Sequence, residues 1–193
     1  MSLLGRILIC DSSQDLEKLG EHQAAAIPVI LNWLPKKTLA FRTIIQVFSQ
    51  KWTREYARKE LVDLYANTDP AELERRWYYG EFIMQLSDDR DFDELATLAT
   101  DRSAGYSRVA FIEAISKTKK YKERAINILM DQIEDEAVII EVSKGLRRLK
   151  AVQARPLLEP YLKHKDSEIR SEVRKTIKKF DQLAPPAITS PST

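Results

Sequence analysis

Cysteine, histidine and glycine are scarce in this chain: its 193 residues include one cysteine, two histidines and five glycines. The lone Cys10 rules out an intramolecular disulfide and gives no sign of an oxidising compartment. With so little glycine there is no glycine-rich phosphate loop, and neither a zinc-ligand spacing nor a serine-nucleophile elbow occurs. No run approaches the roughly 20 apolar residues that a membrane helix requires. The apolar start over residues 1–10 is broken by Arg6 and runs straight into Asp11-Ser12-Ser13, a poor secretory core and cleavage site. A cytoplasmic protein is therefore expected.

What is abundant points to helix. Charged residues make up 31% of the chain and hydrophobic ones 44%, with Leu, Ile, Ala, Glu, Lys and Arg prominent, a balance that favours helix over sheet in a soluble domain. The formal charge of +2 conceals an asymmetry. Residues 1–100 carry 12 Lys and Arg against 16 Asp and Glu, whereas residues 101–193 carry 19 against 13. A basic C-terminal half attracts acidic protein surfaces, nucleic acid or anionic lipid.

A repeat organises the sequence. Arg42, Arg76, Arg108 and Arg170 are separated by 34, 32 and 62 residues, and Ile139 fills the missing place at a spacing of 31. Three residues beyond each frame position stand Ile45, Tyr79, Phe111, Val142 and Val173. Seven beyond stand Ser49, Ile83, Ile115, Leu146 and Ile177, and ten beyond stand Trp52, Leu86, Thr118, Leu149 and Phe180. Apart from Ser49 and Thr118 these are apolar, as one face of a recurring helix requires. Pro28 and Pro156 lie 14 residues before the first and last frame positions and open further helical segments. Helix pairs are expected near 21–50, 53–87, 91–118, 120–149 and 151–180. Asn67-Thr68-Asp69-Pro70 and Ser87-Asp88-Asp89-Arg90-Asp91 supply breaks, and Asp166 supplies a cap. Glu72 and Arg76, and likewise Asp166 and Arg170, are spaced to pair across one helical turn.

The last unit, with Pro156, Asp166, Ile169-Arg170, Val173 and Ile177, resembles the HEAT repeat, and the resemblance extends with decreasing strength back to residue 21. It implies an all-α, right-handed α-solenoid (armadillo-like helical) of about five HEAT-like antiparallel helix pairs, with second helices lining the concave side. The expected organisation is residues 1–20 as an N-terminal lead-in or cap, 21–181 as the solenoid and 182–193 as a disordered tail rich in Pro, Ser and Thr.

The inventory for catalysis is thin, so no enzyme, metal or cofactor is expected. His22 and His164 read as solvated polar residues and Cys10 as a small buried hydrophobe. The run starting at Asp89 alternates acids like a calcium loop, but Glu94 stands in the glycine place and Thr100 in the bidentate glutamate place.

Opposite the core stripe, at frame positions +5, +8 and +9, the fourth unit carries Lys144, Arg147 and Arg148 and the fifth carries Lys175, Lys178 and Lys179, with Arg174 alongside. On a concave face these cations form a basic ladder suited to an acidic protein, a peptide or a nucleic-acid backbone. Tyr78 lies off the core stripe beside Arg75 and Arg76 and is a candidate contact residue; Trp77 reads as packing. The resemblance implies a non-catalytic protein- or peptide-binding scaffold. The alternative is a nucleic-acid-binding or repair protein similar to the HEAT-like alkylpurine DNA glycosylases, for which no residue here matches the catalytic acid.

Overall fold

The computed structural model describes residues 53–183. The expected first helix pair, the lead-in over 1–20, most of the tail, and Cys10 and His22 lie outside them. Among the described residues every regular element is helical, and no strand occurs. None of these helices is long and apolar enough to cross a membrane. The chain divides between Arg90 and Asp91 into two compact units.

In the first unit, α1 (Arg54–Asn67) packs on α2 (Leu73–Leu86). Ala57, Leu61 and Tyr65, each four residues after the last, form the buried stripe of α1. Tyr79, Phe82, Ile83 and Leu86 are the buried apolar residues spaced along one face of α2. Arg54, at the start of α1, donates to the carbonyl of Leu86 at the end of α2, and Arg58 Nε donates to Ser87 Oγ at 3.1 Å. At the other end the Arg76 guanidinium stacks over the Tyr65 ring at 4.4 Å, so the two helices run antiparallel. Both arginines of α1 thereby sit on the negative end of the α2 dipole. Thr68 Oγ1 donates back to Leu64 O and Asp69 Oδ1 accepts from Ala71 N–H, which closes the turn ahead of α2.

The second unit contains α3 (Phe92–Thr100), α4 (Val109–Ser116), α5 (Lys122–Asp131), α6 (Ile139–Leu149), α7 (Arg155–Leu158) and α8 (Ser167–Leu183). Tight three-residue-per-turn helices at Arg102–Arg108, Val152–Ala154 and Glu159–Lys163 interrupt them. The last of these continues α7, because Pro160 has no N–H to offer an α-helical bond and the segment tightens instead. Helix α8 carries on through Leu183, two residues past the expected boundary at 181.

The order of contacts in the second unit is regular. Helix α3 packs on α4, α5 on α6, and Glu159–Lys163 on α8, while α6 also packs on α4 to one side and α8 to the other. The expected stripe fills this core: Phe111, Val142 and Val173, then Ile115, Leu146 and Ile177, then Leu149 and Phe180, are all buried. Each such side chain contributes about 1.5–3 kcal/mol on burial. Thr118, the polar member of the stripe, falls outside α4, which ends at Ser116. Gly145 permits the close approach of α6, since a Cβ there would lie 3.0 Å from both Leu129 Cδ1 and Ser116 Cβ. Helix α6 ends with Lys150 in the left-handed region, φ 57°, and Ala151 N–H donates to Leu146 O at 3.0 Å.

Arg108 and Arg170 bind the framework instead of pairing along their own helices. Arg108 is fully buried; its Nη1 donates to Ala99 O at 2.7 Å and to Gln132 Oε1 at 2.9 Å, and its Nη2 is bonded to the Asp135 carboxylate. It thus ties the end of α3 to the turn between α5 and α6. Arg170 Nη1 donates to the carbonyls of His164 and Lys165, at 2.6 and 2.8 Å. Neither expected four-residue ion pair forms. Asp166 Oδ1 instead accepts from Glu168 N–H at 2.7 Å as a helix cap. Glu72 pairs with Arg75 at 2.6 Å, because Arg76 points inward to Tyr65.

Candidate partner-binding face

Helix α6 determines what the basic ladder can do. Flanked by α4 and α8, it buries Glu141 and Ser143 together with its apolar stripe. The cations beside that stripe consequently meet the neighbouring helices. Arg147 Nη1 is bonded to the Glu172 carboxylate and donates to Thr176 Oγ1 at 3.0 Å, both on α8. Arg148 turns the other way, onto Ser116 Oγ and, at 3.8 Å, Glu113 of α4. Lys144 Nζ donates to Glu141 Oε2 at 2.9 Å, and this bond raises the lysine pKa above its ordinary value. Lys175 lies 3.7 Å from the second oxygen of Glu172.

Four of the seven expected cations are therefore already matched by carboxylates. Glu172 is only 8% exposed and serves both Arg147 and Lys175, so α6 and α8 are stapled by a buried acid. Thr176 Oγ1 adds a bond to the Ser143 carbonyl at 3.2 Å. Sequence reasoning missed these acids. Glu141 and Glu172 stand 31 residues apart at the same frame position, two beyond Ile139 and Arg170, and that recurrence was the available signal.

Arg174, Lys178 and Lys179 differ from the other four. All three are exposed on α8 and make no hydrogen bond or ion pair among the described residues. The buried side of the helix, Ile169, Glu172, Val173, Thr176, Ile177 and Phe180, turns them to solvent. Asp181 is the nearest acid along the same face, and it is engaged by Arg155 Nε at 2.7 Å.

Tyr78 is half-buried on α2 in the first unit; its hydroxyl donates to Glu74 Oε1 at 3.2 Å and its ring meets Trp77 edge-on at 5.1 Å. His164 is built into the turn before α8. Its Nδ1 accepts from Asp166 N–H at 3.1 Å, which leaves Nε2 to donate to Glu136 Oε1 at 3.2 Å. Glu136 is held below its ordinary pKa by that bond and by nearby Lys165. Comparison of the chain with protein-family models, with curated proteins and with solved structures finds no match.

Proposed function

We propose that the chain is a non-catalytic protein- or peptide-binding scaffold, built as a HEAT-like right-handed α-solenoid whose second helices present the binding face. The contact order of the second unit supports the architecture: α4, α6 and α8 adjoin in series, each with a preceding helical segment packed against it. Connections over residues 117–121 and 132–138 have the length usual between neighbouring packed helices. Stacking of this kind covers the apolar face that one helix pair cannot bury alone.

One observation carries the binding function. After Glu113, Glu141 and Glu172 have engaged their cations, Arg174, Lys178 and Lys179 remain exposed and unpartnered on a single helix face. A positive surface left open in this way accelerates encounter with an acidic partner and selects against basic ones.

The test is reversal of Arg174, Lys178 and Lys179 to glutamate in the full chain, followed by co-purification from the native source. The expected result is loss of a stoichiometric protein partner with the helical circular dichroism unchanged. Retention of that partner would place the binding surface elsewhere. Salt-sensitive binding of a generic DNA duplex, abolished by the same reversal, would favour the nucleic-acid alternative.

A further inference from the structure

Resting on the proposal of a protein-binding scaffold, we infer that α8 receives an extended acidic segment of its partner, with acids at alternate positions. The spacing of the free cations leads there. Arg174 and Lys178 are one helical turn apart and stand about 6 Å from each other along the axis. Lys175 and Lys179 repeat that interval on the adjacent row, but Glu172 already engages Lys175, so the row of Arg174 and Lys178 is the one left open. Side chains at alternate positions of an extended chain project to the same side roughly 6.6 Å apart, so successive acids of a Glu-x-Glu pattern fall opposite successive cations of one row.

A helical partner meets two obstacles. Its acids would have to repeat every fourth residue, and like charges at that interval destabilise the helix that carries them. The exposed face of α8 also offers no large apolar side chain between Ser171 and Asp181 on which a helix could seat. The same rule gives the cationic rows a cost within α8 itself: Arg174 with Lys178 and Lys175 with Lys179 are like-charged pairs one turn apart. An anionic chain lying along them removes that repulsion.

The experiment measures binding of two labelled peptides to the full chain at low salt. One alternates glutamate and serine; the other repeats Glu-Glu-Ser-Ser, with the same composition and net charge but no two glutamates at alternate positions. Tighter binding of the alternating peptide by roughly threefold to tenfold is expected, the ratio supplied by two or three exposed ion pairs held in register. The preference should vanish in Arg174→Gln/Lys178→Gln and persist in Arg174→Lys. These side chains are exposed, so the fold is not at risk. Equal binding of the two peptides would overturn the inference and leave the scaffold proposal standing. Failure of both peptides to bind, with a DNA duplex bound instead, would overturn both.

Discussion

Arg108 offers the most demanding test of how the second unit is held together. Its guanidinium is wholly inaccessible, and burial pushes its pKa down from the ordinary arginine value while Asp135 opposes the shift. In Arg108→Met a side chain of similar length remains, but Ala99 O, Gln132 Oε1 and the Asp135 carboxylate lose their donor. Breaking a buried pair from one side costs about 3–5 kcal/mol. Two features reduce that figure here: Asp135 is 16% exposed, and the Arg108 Nε that lacked a partner is removed with the guanidinium. A loss of about 3 kcal/mol follows, which lowers the urea midpoint by about 1–3 M. Far-UV circular dichroism is the deciding assay. Trp33, Trp52 and Trp77 all precede Arg90, so tryptophan fluorescence in the same titration has its source within residues 1–90. The double variant Arg108→Met/Asp135→Asn keeps an acceptor for Ala137 N–H while removing the orphaned charge. It should be less destabilised than the sum of the single variants by about 1 kcal/mol or more. A cost for Arg108→Met no greater than about 0.5 kcal/mol, the scale of an ordinary surface change, would refute the account.

Two further predictions follow from local geometry. Lys150→Gly removes the strain of a non-glycine residue at φ 57° and should stabilise the second unit by about 1 kcal/mol, read as a raised thermal midpoint. Asp88 is bonded to the side chain and backbone N–H of Arg90, and these contacts hold its carboxyl well below the usual range. A depressed folded-state pKa stabilises above the unfolded value near pH 4, and that contribution disappears as the pH falls through the folded value. Acid titration followed by tryptophan fluorescence should therefore show Asp88→Asn flattening the loss of stability below about pH 4, and an unchanged profile would count against the assignment.

The fold was legible where a single physical rule governed it. Burial at +3, +7 and +10 follows from helical periodicity, and Phe111, Val142, Leu146 and Val173 obey it because each faces a neighbouring helix. The basic ladder was legible only in part, since periodicity says which side of a helix is apolar but not how many neighbours the helix has. With α4 on one side and α8 on the other, residues just off the stripe of α6 also reach acids, as Arg147 and Arg148 do. On α8 the same frame positions face solvent, and Lys178 and Lys179 stay free. Arg76 and Arg108 were visible as repeat markers, yet their burial against a ring and a carboxylate depends on partners distant in sequence or on the far side of a turn.

The place of α6 between two helices also dictates how the second unit comes apart. Stacked helix pairs open from the ends of their series, because an end pair gives up one inter-pair interface whereas an inner pair gives up two. Amides of α6, around Val142 and Leu146, therefore exchange with solvent only in the rarest openings, and those of α8 in commoner ones. The helix proposed to hold the partner thus lies at one end of the described series, and occupancy of α8 raises the protection of amides well beyond the contact itself.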